Sequence, residues 1–296
     1  MKTTSISNIV PAHNEEKNLN GKVCMVVGGT KGMGFAAAKK LYDLGAKVAI
    51  CGRSISTTKI AAKNIDPLLR NLLYFKCDIN KPVDIKLMVD VIIDKWGKVD
   101  NLVCAAGIFK PFGTFESVPF GEHERTLKTN LLGTMRICHE VIKYMKKRKS
   151  GNIILFSGAG IGNALPLDNA SSYYVSKGGL ALFAEVLAEE LSPFNIKINA
   201  ILPGRILTDS TRSIIGLPEK TIGKVLYEAT AELKKGGQPV EQVTNLISFL
   251  AGNISNSLTG KLISAKWDSF TDLSSDLPNW KYTLRRIEGK KYIKNK

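Results

Sequence analysis

Seven short runs rich in Val, Ile and Leu punctuate the chain, each closing on small or turn-forming residues. They are KVCMVVGG (22–29), AKVAICGR (46–53), LLYFKCDI (72–79), DNLVCAAG (100–107), GNIILFSG (151–158), IKINAILPG (196–204) and KLISA (261–265). Nearly unbroken apolar character is what strands buried on both faces carry, so the pattern predicts a parallel sheet. Helix-like stretches lie between the runs. The clearest covers 172–191, where Leu180, Ala184, Leu187 and Leu191 fall on one face, Glu185 and Glu189 point elsewhere, and Pro193 stops the helix. Strand and helix alternating this regularly predict βαβ units and a doubly wound α/β fold with helices on both faces. No internal repeat or low-complexity linker interrupts the series. One domain is therefore expected over 21–268, with a leader at 1–20 and a basic extension at 269–296.

Composition narrows the class. Hydrophobic residues make up 44% of the 296, too many for a disordered chain. No apolar run approaches the ~18 residues of a spanning helix, so no membrane association is expected. The opening MKTTSISNIVPAHNEEKN lacks the apolar core and cleavage site of a secretory signal. Its Ile9–Glu16 stretch resembles the start of family-2 glycosyltransferases, but no second sugar-nucleotide domain follows, and it is read as a solvated leader. Five scattered cysteines (Cys24, Cys51, Cys77, Cys104, Cys138) without a CxxC disfavour a disulfide scaffold or a metal site and fit buried thiols in a reducing cytoplasm. Lys and Arg number 42 against 26 Asp and Glu, a net charge of +16, concentrated in KYMKKRK (143–149) and the tail 281–296. The first run suits a helix C-terminus, where cations complement the macrodipole. No nucleic-acid module accompanies either run, so nucleic acid is not an expected partner. The positive field suits phosphorylated small molecules instead.

The candidate chemistry begins directly after the first strand, at Gly28-Gly29-Thr30-Lys31-Gly32-Met33-Gly34, which opens an Ala-rich helix. A strand turning sharply into a helix needs residues without a Cβ clash, and the free N–H groups of the helix then face a diphosphate. The spacing GxxxGxG of Gly28, Gly32 and Gly34 resembles the cofactor loop of the short-chain dehydrogenase/reductase family, a Rossmann-fold group of NAD(P)-dependent oxidoreductases. Val27 stands where that family usually has threonine. Cys104-Ala105-Ala106-Gly107 stands for the family's Asn-Asn-Ala-Gly, keeping the small residues that let the backbone approach a ribose. At the end of the second strand, Ile50-Cys51-Gly52-Arg53 has glycine where a carboxylate would grip the NAD ribose, and arginine next to it. With Lys31 on the same side, this favours the 2′-phosphate of NADP(H) over NAD(H); two solvated surface cations are the alternative. Asp78 would, by resemblance, contact the adenine amino group, or else cap the helix starting near Pro82.

Tyr173 and Lys177 are four apart at the start of the 172–191 helix and share a face. A phenol with a pKa near 10 is a poor catalyst at neutral pH. A nearby ammonium and the positive nicotinamide ring are expected to lower that pKa, so that the phenol can exchange a proton with a carbonyl or carbinol oxygen. Tyr292 and Lys296 repeat the spacing without a preceding strand, whereas Tyr173-Tyr174-Val175-Ser176-Lys177 is similar to the family's YxASK. Tyr174, with Gly178 four residues on, is the weaker candidate. Ser157 is the expected substrate-orienting hydroxyl, although the family commonly has Ser-Ser and this chain has Gly158 in the second place. Asn130 matches the family asparagine that bends a helix and holds a water. Asn199-Ala200-Ile201-Leu202-Pro203-Gly204, then Thr208, resembles the family's N-A-x-x-P-G…T segment, which implies that Pro203, Gly204, Ile206 and Thr208 line the nicotinamide site. Residues 205–240 would form a substrate lid.

The expected activity is NADP(H)-dependent interconversion of a small-molecule carbonyl and a secondary alcohol by a homo-oligomer, dimer or tetramer. The C-terminal extension resembles that of short-chain reductases of surface-sugar synthesis, which implies a sugar or nucleotide-sugar substrate; Trp267, Phe270 and Trp280 could instead pack a subunit interface. A non-catalytic NADP(H)-binding sensor or scaffold on the same fold is the alternative, kept open by Gly158 and the missing asparagines.

Overall fold

The computed structural model describes residues 19–158, 161, 167–252 and 258–268. Most of the leader, the extension 269–296 with Phe270, Trp280, Tyr292 and Lys296, and most of the loop after Gly158 lie outside the described residues.

Each predicted apolar run contains a strand: β1 (Val23–Val27), β2 (Lys47–Gly52), β3 (Leu72–Lys76), β4 (Asn101–Cys104), β5 (Gly151–Phe156), β6 (Ile196–Leu202) and β7 (Leu262–Ser264). All six pairings are parallel, in the order β3-β2-β1-β4-β5-β6-β7. This is a single doubly wound Rossmann domain. Alternate side chains of β1 serve opposite faces, as the strand period of two requires. Val23, Met25 and Val27 enter one core with the helices α3 (Pro82–Trp96), α5 (Thr134–Arg148) and α6 (Ser171–Leu191). Cys24 and Val26 enter the other, with α1 (Gly32–Asp43), α2 (Ile55–Ile65) and α10 (Val240–Ala251). All five cysteines are buried and free, filling these cores as small hydrophobes.

The helix ends obey local chemistry. Proline opens α3 and Gly97 closes it in the left-handed region (φ +75°). The long helix α6 runs to Leu191, and Pro193 turns the next three residues, Ser192–Phe194, into a single 3₁₀ turn. The basic run expected at a helix end does close α5, with Lys146, Lys147 and Arg148 in its last turn. Arg148 reaches the buried Asp100 at 3.0 Å; the other Asp100 oxygen takes the backbone N–H of Val23 at 2.8 Å and faces Lys98 at 2.9 Å. One carboxylate thereby fastens the base of the sheet, opposite the end where the strands run out.

Between β6 and α10 the chain folds into three short helices, α7 (Asp209–Arg212), α8 (Glu219–Ile222) and α9 (Lys224–Lys234). They cover the carboxyl ends of the strands with a small separate apolar cluster that includes Ile214, Ile222, Leu226 and Leu233. The ends of this segment are tied together: Ile206 bridges Gly237, Arg205 pairs with Glu232 at 3.1 Å, and Gln238 accepts the Arg205 N–H at 3.1 Å.

Candidate active site

Strand order reverses between β1 and β4, and a doubly wound sheet opens a crevice at such a point, beyond the carboxyl ends of the strands. A cavity of about 810 Å³ lies there. Every predicted site residue lines it, from the glycine loop through Arg53, Asp78, Ala105–Gly107, Ser157, Tyr173 and Lys177 to Pro203, Gly204, Ile206 and Thr208, with the sole exception of Asn130.

The glycines are there for space. Gly28 sits at φ +81°, and a Cβ on it would stand 2.7 Å from the backbone of Ala106. A Cβ on Gly34 would fall 2.3 Å from the carbonyl oxygen of Gly28. The turn is thus pressed against β4 and the first turn of α1, and the path in front of the α1 N–H groups stays open. Gly32, at φ +56°, has its empty side against the Thr208 methyl at 3.3 Å. A cradle that any Cβ would fill, at a helix N-terminus, fits the diphosphate of a dinucleotide.

Beside it, a smaller hollow of about 550 Å³ is lined by Thr30, Lys31, Arg53, Ser54 and Thr57. Ser54 caps α2 by accepting the Thr57 N–H, so a helix N-terminus, three hydroxyls and two cations border the same space. Lys31 pairs with Asp209 at 3.3 Å, both side chains being largely exposed; among the described residues no carboxylate pairs with Arg53. Asp78 does not cap α3, whose N-cap is Lys81 without a side-chain cap. Asp78 Oδ1 accepts the Asn80 N–H at 2.9 Å in the turn before α3, while the residue also lines the crevice.

On α6, Tyr173 and Lys177 reach the same crevice. Lys177 is 7% exposed; its Nζ donates to the Phe156 carbonyl at 2.8 Å and lies 5.9 Å from the Tyr173 ring centroid. Burial lowers its pKa to about 8. The pKa of Tyr173 moves opposite to expectation. With the protein groups alone, burial and then the neighbouring Tyr174 push the phenol up, since among the described residues no ammonium touches its oxygen to offset desolvation. Phe109 packs edge-on against the Tyr173 ring at 4.6 Å.

Ser157 does not present its proton to the crevice. Its hydroxyl donates to the Lys177 carbonyl at 2.9 Å, stapling the end of β5 to α6. The position facing the phenol is Gly158, where a Cβ would lie 3.2 Å from Tyr173 Oη. Ser172 is engaged elsewhere, 2.9 Å from His123 Nδ1. Asn130 stands behind the crevice in a π-helical turn, Lys128–Gly133, that joins α4 (Phe120–Leu127) to α5. Its amide accepts the Ile108 N–H at 2.8 Å and donates to the Ile108 carbonyl at 2.9 Å and to Ser176 Oγ at 3.2 Å. It therefore anchors the loop leaving β4 to α6.

Sequence reasoning gave 205–240 as a substrate lid but did not single out the apolar wall. Phe109, Ile214, Val225, Leu226 and Leu233 line the same crevice, as does Trp267, which is 78% exposed. Val225, Leu226 and Leu233 follow the helix period of α9, which marks them as buried but not as facing a site.

A doubly wound sheet, a glycine cradle and a tyrosine–lysine pair at one crevice define a dinucleotide-dependent oxidoreductase. The family model described as short chain dehydrogenase matches residues 22–216, and the chain belongs to that family. It is 33% identical to the 3-oxoacyl-(acyl-carrier-protein) reductase of Aquifex aeolicus (strain VF5), over 86% of this chain and all of that protein. It is 28% identical to the dehydrogenase/reductase SDR family member 4 of Bos taurus, over 86% of this chain and 89% of that one. Among solved structures, a short-chain type dehydrogenase/reductase from Mycobacterium marinum superposes with a TM-score of 0.75 at 26% identity, covering 84% of this chain and 96% of that one. An NAD⁺-bound xylitol dehydrogenase shares the fold at a TM-score of 0.74 and 24% identity, over 83% and 97%. No helix among the described residues is long and apolar enough to cross a membrane.

Proposed function

We propose that the protein is an NADP(H)-dependent carbonyl reductase/alcohol dehydrogenase whose proton donor and acceptor is Tyr173. The observation that carries this reading is the meeting of Tyr173 and Lys177 with the glycine cradle in one crevice. When bound, the nicotinamide supplies or accepts the hydride at the substrate carbon. The chain's own residues do the rest. Gly28, Thr30, Gly32, Met33 and Gly34 admit the diphosphate, and Ala105, Ala106 and Gly107 leave room for the ribose. Pro203, Gly204, Ile206 and Thr208 border the nicotinamide end. Tyr173, kept protonated by burial, gives its proton to the carbonyl oxygen in reduction and takes it back in oxidation. Lys177, held by Phe156, supplies the positive charge that favours phenolate as that proton leaves. Asn130 and Ser157 are positioning residues.

The cofactor preference rests on Arg53, Lys31 and the α2 N-terminus around the smaller hollow, which suit a dianionic 2′-phosphate. Arg53→Ala is expected to lower kcat/KM with NADPH about tenfold or more while leaving NADH nearly unchanged; an unaltered NADPH/NADH ratio would reverse the assignment. The substrate chamber under 205–240 is walled by Phe109, Ile214, Leu226 and Leu233. That apolar wall favours a carbonyl compound with a hydrocarbon body over the sugar implied by the extension. Oxidation of NADPH against a panel of aliphatic and aromatic ketones tests the activity. NADPH binding without turnover of any carbonyl would favour the sensor.

The homo-oligomer belongs to the same proposal. Leu132 and Met135 near the start of α5, and Val175, Leu182 and Val186 on α6, are exposed apolar side chains on neighbouring helices, suited to a second copy. Light scattering is expected to read a dimer or tetramer of the 32.3 kDa chain; a monomer at micromolar concentration would remove this part.

A further inference from the structure

Next to Tyr173 stands a second phenol that nothing in the fold accounts for. Tyr174 is 7% exposed, and its hydroxyl has no hydrogen-bond partner among the described residues. Buried hydroxyls are rarely left so, because the lost hydration is not returned unless a partner arrives. The ring lines the crevice, edge-on to Tyr173 with centroids 5.7 Å apart, and packs in the cluster with Ile214, Ile222 and Leu226 from the covering segment. Burial, and then Asp168, push its pKa up to about 12, so it is a neutral donor at any working pH. A phenylalanine would pack these contacts equally well. The hydroxyl therefore needs a reason that packing does not supply.

We infer that Tyr174 donates a hydrogen bond to a second oxygen of the substrate, which selects apolar ketones carrying a further carbonyl or hydroxyl group close to the reacting one. This rests on the crevice being the substrate site of the dehydrogenase reading. The chamber supports it from both sides. Its apolar wall of Phe109, Ile214, Leu226 and Leu233 admits a hydrocarbon body, and the Tyr174 ring stands in the same lining beside the reacting phenol. A site with one well-placed donor discriminates strongly against analogues that lack the matching acceptor, because the donor is then stranded.

The test compares wild type with Tyr174→Phe on 2-hexanone, 2,3-hexanedione and ethyl acetoacetate, with NADPH. The ratio of kcat/KM for a dicarbonyl to that for 2-hexanone is expected to fall about tenfold in the variant, mainly through KM. Comparing the same pair of substrates in both proteins cancels their intrinsic reactivities. A purely structural tyrosine would move all three substrates together and leave the ratio unchanged, which overturns the proposal. Calorimetric binding of 2,3-hexanedione to the NADPH complex of Tyr173→Phe, with and without Tyr174→Phe, reads the contact without turnover. About tenfold weaker binding supports it; equal binding, or none in either protein at about 10 mM, overturns it. If Tyr174→Phe weakens NADPH binding itself, the hydroxyl serves the dinucleotide and the inference falls. If Tyr173→Phe still turns over ketones, the Tyr173 reading fails while the binding comparison stands.

Discussion

Replacing Tyr173 by phenylalanine is expected to lower NADPH-dependent ketone turnover about 1000-fold with almost no change in thermal stability. The two halves of this result have separate causes. The turnover loss comes from removing the phenol that shares a face of α6 with Lys177 in the crevice. Ser157 has its proton on the Lys177 carbonyl, Ser172 is held at His123, and position 158 carries no side chain. Stability is spared because the phenol has no hydrogen bond among the described residues to lose, while the edge contact to Phe109 persists in the variant. Turnover and melting temperature measured on one preparation check both. Loss of activity together with unfolding would mean that the hydroxyl holds the fold rather than supplying the proton. Retained activity would dismiss Tyr173 as the acid.

Lys177→Met is expected to raise the stability of the cofactor-free protein at pH 7 while abolishing efficient turnover. The ammonium is buried, and burial lowers its pKa from 10.5 to about 8. Below pH 8 both folded and unfolded chains carry the charge, but the folded one carries it out of water, so the penalty is fully present. Between about 8 and 10.5 the unfolded chain binds more protons than the folded one, and stability rises with pH. Above that range neither state is charged and the penalty is gone. The fall from 10.5 to about 8 corresponds to about 3 kcal/mol, of which the lost hydrogen bond to Phe156 returns about 1. The melting temperature at pH 7 should then rise by about 4 °C, a gain that shrinks as the pH rises and gives way above about pH 10.5 to a deficit of about 1 kcal/mol, where only the lost hydrogen bond remains. A variant less stable than wild type at pH 7 would show that the ammonium is not desolvated as the geometry implies. The same desolvation that burdens the fold keeps the positive charge unscreened beside the phenol, where the proposed chemistry uses it.

How far the sequence reaches can be seen from particular residues. The strand runs were legible because parallel strands covered on both faces must be apolar throughout, and each run holds a strand of the parallel sheet, whose order only the structure gives. Gly28, Gly32 and Gly34 were legible because a tight strand-to-helix turn tolerates no Cβ, a requirement local to the chain. The four-residue spacing put Tyr173 and Lys177 on one face of α6 for the same local reason.

What the sequence by itself determined is therefore whatever backbone geometry and short-range periodicity dictate: the sheet, the phosphate-sized turn and the pairing of two side chains along a helix. Only the tertiary structure decided where each polar hydrogen goes. Folding set Ser157 on a backbone carbonyl, Asn130 on the backbone of Ile108, the Tyr173 pKa up rather than down, and the Tyr174 hydroxyl without a partner among the described residues. The reason is that hydrogen bonding and desolvation depend on which distant segments meet. The walls of this crevice come from β4, α6 and the 205–240 segment, which are far apart in the chain and share no common period.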